Sequence, residues 1–263
     1  MKEDDESESS FSKTNSDAFS REESLKIEEV VEYKIERNLK NEKNYDIRIK
    51  LIVLGDSNVG KSSVIKRICF EKFDSNSIPT IGTELQNYAI KINDKIIGIQ
   101  IWDTAGQEAF KAVIKKHYQD ADVCLFVYSV DDYNSFNNIR NWYKELLQNN
   151  SKAEKNEMIS ILLGNKKDVD EDQRKVTKEE GENLAKEYNF FLFKEISCKS
   201  ENKEEIENIY EILDKIGKYY YDNFKENGSS LRTDSFIFAA NKELYEANKK
   251  DKKQKKKKKK KCC

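Results

Sequence analysis

The sequence predicts an α/β fold with a mostly parallel sheet covered on both faces by helices. Three observations carry this. First, the apolar run 47–54 feeds a glycine-bounded loop, Gly55-Asp56-Ser57-Asn58-Val59-Gly60-Lys61-Ser62, which opens a helical pattern. Second, from Tyr45 onward short apolar runs alternate with amphipathic segments, the order expected of strand–helix–strand units. Third, Val123-Cys124-Leu125-Phe126-Val127 is continuously apolar, as a central strand buried on both faces must be.

Each element follows in order. Strand-like runs occupy 47–54, 85–92, 96–102, 123–129, 159–163 and 190–196. Asn93-Asp94 separates two alternating runs and reads as a hairpin turn, so one pair of strands is antiparallel. Helix-like runs occupy 61–71, 108–118, 135–148, 177–187 and 204–221. The spacing of Ile27, Val31, Ile35 and Leu39 predicts a further helix between Arg21 and Lys43. That helix is either docked on the body or a partner, or solvated and partly formed. The chain is expected to divide into an acidic extension (1–45), a body (46–221) and a tail (222–263).

The loop at 55–62 has the composition and spacing of a nucleoside-triphosphate cradle. Gly55 and Gly60 let the main chain wrap an anion without a Cβ clash. Ser57, Asn58, Val59, Gly60, Lys61, Ser62 and Ser63 are the candidate contacts. Backbone N–H groups converge on the phosphates, and the helix N-terminus adds partial positive charge. Lys61 supplies a mobile point charge between the β- and γ-phosphates, and the Ser62 hydroxyl suits Mg²⁺.

Two further segments follow strands and select a base and a reaction. Trp102-Asp103-Thr104-Ala105-Gly106-Gln107-Glu108 ends one run. There Asp103 can hold the Mg²⁺ shell through a water, Gly106 can turn its N–H to a γ-phosphate, and Gln107 can orient an attacking water. Asn165-Lys166-Lys167-Asp168 ends another. A carboxylate at Asp168 can accept two hydrogens from guanine, whereas adenine would leave it desolvated and unpaired, a discrimination of roughly 10⁴-fold. Ser197-Cys198-Lys199 follows the last strand, where backbone N–H groups can meet the guanine carbonyl.

Composition sets the outer limits. The chain has 263 residues, 37% hydrophobic and 37% charged, a charge load that implies polar extensions. Its net charge of −1 averages unlike parts: residues 1–46 hold 14 acidic and 8 basic side chains, and residues 248–263 hold 11 lysines and one aspartate. Residues 1–20, acidic and serine-rich, are expected to be disordered. Of the cysteines, 69, 124 and 198 lack metal spacing and are expected as free thiols in a reducing compartment. No run is long and apolar enough to span a bilayer, and the start does not resemble a secretory signal, so a cytosolic protein is expected.

Taken with Pro79-Thr80-Ile81-Gly82, these segments in this order resemble those of the Ras superfamily of small GTPases, over about residues 46–221. Ile-Gly after Thr80, Gln100-Ile101-Trp102 before Asp103, and Tyr128 resemble the Rab family in particular. The resemblance implies a P-loop NTPase fold of six strands, one of them an antiparallel edge, with five helices. It implies that Thr80 joins Ser62 on Mg²⁺ when the γ-phosphate is present, that Phe73 covers the base, and that Lys166 lines its other face. GTP or GDP is the implied nucleotide. Exchange factors, activating proteins, escort proteins of the GDP-dissociation-inhibitor type and effectors are the implied partners. The chain departs from the family pattern at Thr83-Glu84-Leu85, Ala109, His117-Tyr118-Gln119-Asp120 and Cys198.

The terminal Cys262-Cys263 resembles a double-prenylation signal. Two lipids with neighbouring lysines would anchor the chain on an anionic cytosolic leaflet, peripheral to an endomembrane. The expected function is a GTP/GDP switch that hydrolyses GTP slowly and recruits effectors in vesicle traffic. Three alternatives stand beside it: a nucleotide-loaded binding module that does not hydrolyse, an adenine-using P-loop enzyme, and a nucleic-acid binder. Gln107 and Thr80 oppose the first and Asp168 the second. The third lacks an interleaved aromatic-basic motif, so no nucleic-acid partner is expected.

Overall fold

The computed structural model describes residues 32–39, 44–75, 80, 83–104, 118–155 and 157–227. Seven strands among them form one sheet. They are β1 (Ile35–Glu36), β2 (Ile47–Leu54), β3 (Thr83–Ile92), β4 (Lys95–Thr104), β5 (Val123–Ser129), β6 (Ile159–Asn165) and β7 (Leu192–Glu195). The helices are α1 (Lys61–Phe70), α2 (Tyr133–Asn149), the short α3 (Ser151–Glu154), α4 (Lys178–Glu187) and α5 (Lys203–Asn227). The sheet order is β1-β3-β4-β2-β5-β6-β7. β2 pairs in parallel with both β4 and β5, so chain order reverses at β2, and ligands of such sheets bind beyond the carboxyl ends of the strands at that point.

The side-chain period of two explains the two cores. In β2, Ile47, Ile49, Leu51 and Val53 face one side while Ile52 and Leu54 face the other. In β5, Val123, Leu125 and Val127 alternate in the same way with Cys124, Phe126 and Tyr128. The first face is covered by Val64, Ile65 and Ile68 of α1 and by Ile209, Ile212 and Ile216 of α5. The second is covered by Phe136, Ile139 and Leu146 of α2 and by Leu184 of α4. Burying one such aliphatic side chain contributes roughly 1.5–3 kcal/mol before entropy is subtracted. Asp132 caps α2 by accepting from Asn134 N at 3.0 Å, and Thr177 with Glu180 forms a reciprocal capping box on α4.

Three expectations need correction. The sheet has a seventh strand, so the antiparallel β3 lies one position in from the edge, and β1 pairs antiparallel to it through Ile35 opposite Ile92. Residues 33–39 are therefore extended, not part of a helix over 21–43. The reason is a competing period: Tyr33 and Ile35 alternate onto the core, and the β3 edge satisfies the backbone. Asn93 N donates to Lys34 O at 2.9 Å, Lys34 N to Asn93 Oδ1 at 2.9 Å, and Leu39 N to Ala89 O at 3.0 Å. Thirdly, α5 continues to Asn227, so Tyr219, Tyr220 and Tyr221 lie inside the helix and do not end it. The expected helix at 108–118 lies outside the described residues except Tyr118, as does His117.

Candidate nucleotide site

Four loops leave the carboxyl ends of β2, β4, β6 and β7 and meet at one cavity of about 380 Å³. Its lining includes Ser57, Asn58, Gly60, Lys61, Ser62 and Ser63 of the first loop, Thr80 and Thr104, and Phe73. Asn165, Lys166, Asp168, Cys198 and Lys199 complete it.

The loop conformation follows from its residues. Gly55 has φ +146°, and a Cβ there would stand 2.1 Å from Val127 O. Gly60 has φ +93°, and a Cβ would stand 2.2 Å from Asn165 Nδ2. Neither position tolerates another residue without backbone movement. Asn58 also has a left-handed φ of 65°, which asparagine accepts better than most side chains. Val59 is buried and fixes the loop floor, and its carbonyl accepts from Asn165 Nδ2 at 2.8 Å. The base-selecting segment and the phosphate loop are thus joined directly. Gly60 also begins α1, which has no side-chain cap. The first-turn N–H groups therefore remain available to an anion at the positive end of the helix.

Lys61 is almost fully buried, and its Nζ donates to Asp56 O at 2.7 Å. Burial lowers its pKa to about 8, against the opposing pull of Asp103 and Asp56. Asp103 is buried as well, and burial holds its carboxyl above the ordinary range despite hydrogen bonding to Ser62 and attraction to Lys61. Its Oδ1 has no hydrogen-bond partner, and neither does the buried Asn165 Oδ1. Ser62 Oγ and Thr80 Oγ1 lie 2.6 Å apart beside this carboxylate. Two hydroxyls and one unpartnered carboxylate oxygen form an all-oxygen donor set, which suits a hard cation that retains water, as Mg²⁺ does.

At the other end, Asp168 Oδ1 accepts from Ser197 Oγ at 2.5 Å, and Lys199 Nζ lies 3.9 Å from Asp168 Oδ2. Asp168 itself is exposed to the cavity. Lys166, at φ 64°, directs Nζ to Asp131 Oδ2 at 3.3 Å. Burial pushes the Asp131 carboxyl up, but the Ser129 hydroxyl and Lys166 together hold it below its ordinary value. Burial drives the Cys198 thiol up to about 12, so this cysteine is an inert wall and not a nucleophile. Cys69 and Cys124 are likewise buried free thiols.

Sequence reasoning missed three supporting residues. Asp56 anchors the phosphate loop to α2 by accepting from Asn138 Nδ2 and Trp142 Nε1, each at 2.7 Å. Asp131 steadies Lys166. Arg67 lies behind the Ser197–Ser200 loop with 2% exposure. A signal existed only for Arg67, a charged residue on the apolar stripe of α1. Gly106, Gln107, Ala109, Cys262 and Cys263 lie outside the described residues.

Comparison with known proteins agrees with this geometry. The sequence model of the Ras family matches residues 50–218. The chain is 40% identical over 163 residues to "Ras-related protein RABE1e" of Arabidopsis thaliana, covering 62% of this chain and 73% of that protein. It is 40% identical over 153 residues to human "Ras-related protein Rab-9B", covering 58% and 75% respectively. It is also 40% identical over 156 residues to "GTP-binding protein yptV2" of Volvox carteri, covering 59% and 70%.

Proposed function

The chain belongs to the Ras family, and on that premise we propose that the cavity described above clasps GTP and GDP in turn, as the switch of a Rab-type GTPase. The protein is a Rab-like small GTPase that hydrolyses GTP and acts in vesicle traffic. A non-hydrolysing nucleotide module is not favoured. The observation that carries the assignment is the meeting of the phosphate loop, Thr80, Asp103 and the Asn165–Asp168 and Ser197–Lys199 segments in one cavity.

The residue roles follow from their placement. Backbone N–H groups at the start of α1 and the Lys61 ammonium hold the β- and γ-phosphates. Asp168 reads the guanine edge, Phe73 and the Lys166 stem cover its faces, and Ser197 with Lys199 orients Asp168. Ser62 and Thr80 would hold Mg²⁺, with Asp103 acting through water. Bound there, the ion would neutralise charge on the transferring phosphoryl group. Gln107 orients the attacking water. The water oxygen bonds to the γ-phosphorus as the β–γ bridging bond breaks, and GDP leaves with inorganic phosphate.

No arginine among the described residues reaches the phosphate end of this cavity. Unassisted hydrolysis is then on the order of 10⁻⁴ to 10⁻³ per second, and an activating protein raises it by several orders of magnitude. Loss of the γ-phosphate removes the reason for Thr80 to stay near Ser62, and effectors that prefer one arrangement read the difference. Exchange factors and escort proteins act on the same surfaces. The terminal Cys262 and Cys263 carry lipid, and the lysine run adds attraction to anionic headgroups, which places the protein on the cytosolic face of an endomembrane.

A single-turnover assay tests the enzymatic part. Slow release of phosphate from GTP, accelerated by an activating protein, supports it. Rapid hydrolysis by the isolated chain contradicts it. Replacing both terminal cysteines by serine tests the anchoring: the protein should leave the membrane fraction, and retention there refutes a lipid anchor.

A further inference from the structure

Arg67 lies on α1, two turns beyond the phosphate loop, yet all its polar contacts outside its own helix end go to the loop after β7. Its Nε donates to Cys198 O at 3.0 Å and its Nη2 to the same carbonyl at 2.7 Å. Nη2 also reaches Ser200 O at 3.2 Å and Glu201 Oε1 at 3.0 Å, while Nη1 closes on Glu71 O at 3.2 Å. The side chain is 2% exposed. A guanidinium is costly to bury, so a planar fork saturated by main-chain carbonyls is a built arrangement. The Glu201 partner is 79% exposed and contributes little.

The same loop continues to the base. Ser200 N donates to Ser197 Oγ at 3.1 Å, and Ser197 Oγ donates to Asp168 Oδ1 at 2.5 Å. A hydrogen-bonded relay therefore runs from Arg67 through Ser200 and Ser197 to Asp168.

We propose that Arg67 is a positioning residue for purine selectivity, fixing the Ser197–Ser200 loop so that Asp168 meets the guanine N1–H and exocyclic amine together. The fork holds the loop carbonyls on the α1 side, which leaves the opposite side of the loop to the cavity. It also couples the helix that begins at the phosphates to the segment that reads the base. The inference rests on the guanine-nucleotide reading of the cavity.

The test compares dissociation of fluorescent GDP and IDP from wild-type protein and from Arg67→Lys, with Glu201→Gln as a control. Inosine lacks the exocyclic amine, so the GDP-to-IDP ratio isolates the Asp168 contact. Lysine keeps the charge but loses the fork, and release of GDP should accelerate about tenfold while IDP accelerates only two- to threefold. Glu201→Gln should leave the ratio unchanged. An equal acceleration of both nucleotides, or none, overturns the proposal, because mere loosening of the fold cannot favour one purine. If Arg67→Lys does not fold, Ser197→Ala examines the relay from its far end: the ratio must fall, and an unchanged ratio refutes the relay. Wild-type protein that binds neither nucleotide removes the underlying reading, a result distinct from either variant's behaviour.

Discussion

The Ser62 and Thr80 hydroxyl oxygens lie 2.6 Å apart, across 18 positions of sequence. One belongs to the first turn of the phosphate-loop helix and the other to the segment that leads into β3. Their meeting next to the buried Asp103 carboxylate joins two separate parts of the chain at the place where a divalent ion would sit.

Replacing Thr80 by alanine should therefore affect the triphosphate state alone. Release of a non-hydrolysable GTP analogue should quicken about fivefold, the equivalent of one net hydrogen bond near 1 kcal/mol. GDP release should change little. Stopped-flow measurement of both nucleotides in excess Mg²⁺ decides it, and equal effects on the two would show that Thr80 does not sense the γ-phosphate.

Lys61 makes nucleotide binding depend on pH. Its folded-state pKa is depressed to about 8, below the unfolded value, so a buried ammonium opposes folding of the unliganded protein below pH 8. That penalty diminishes as pH rises through 8 toward 10.5, where both states become neutral. Phosphates restore the charged form, so binding near pH 8.5 should take up part of a proton and binding at pH 6.5 should take up almost none at this residue. Calorimetry of GDP binding in buffers of different ionisation enthalpy measures the uptake. Proton release at pH 8.5 would contradict the assignment.

Gly60→Ala should be severe. The substitution combines a left-handed φ of +93° with a Cβ 2.2 Å from Asn165 Nδ2. The strain alone is of order 1–3 kcal/mol, and relief requires Asn165 to leave Val59 O. Thermal melting with and without GDP should show a lower midpoint and little nucleotide-dependent stabilisation. A variant with wild-type midpoint and wild-type stabilisation would show that the loop does not need this geometry.

The extended segment before β2 should contribute measurably to stability. Arg37 bonds to Asp214 Oδ1 at 3.0 Å and Oδ2 at 2.5 Å, bonds to Glu207 as well, and lies over the Tyr210 ring. Tyr33 Oη donates to Asp222 Oδ2 at 2.7 Å. Arg37→Ala leaves Asp214, whose side chain is 8% exposed, without this partner. A loss of about 2 kcal/mol is expected, between the exposed and buried ion-pair cases. Urea denaturation should show a lower midpoint at unchanged slope. An unchanged midpoint would mean that the segment rests on the sheet without stabilising it.

Much of this was legible from residue order, for identifiable reasons. Gly55, Gly60, Lys61 and Ser62 stand at fixed spacing because a phosphate imposes the loop's shape. The apolar run of β5 reads clearly because a central strand has no solvent face. Strand β1 was not legible, because Ile27, Val31, Ile35 and Leu39 satisfy a helical period while Tyr33 and Ile35 also satisfy a strand period. Only the unpaired edge of β3, a tertiary feature, decides between them. Asp56 and Arg67 were hidden for a related reason. Their partners lie on α2 and on the loop after β7, far away in sequence, and no local pattern records such a pairing.

The central claim is tested most directly by the nucleotide the protein carries. Purified wild-type chain should contain close to one guanine nucleotide per molecule, lose it on chelation of divalent ions, and take up fluorescent GDP but not fluorescent ADP. Protein that emerges empty and binds neither, or that prefers the adenine nucleotide, would contradict the account.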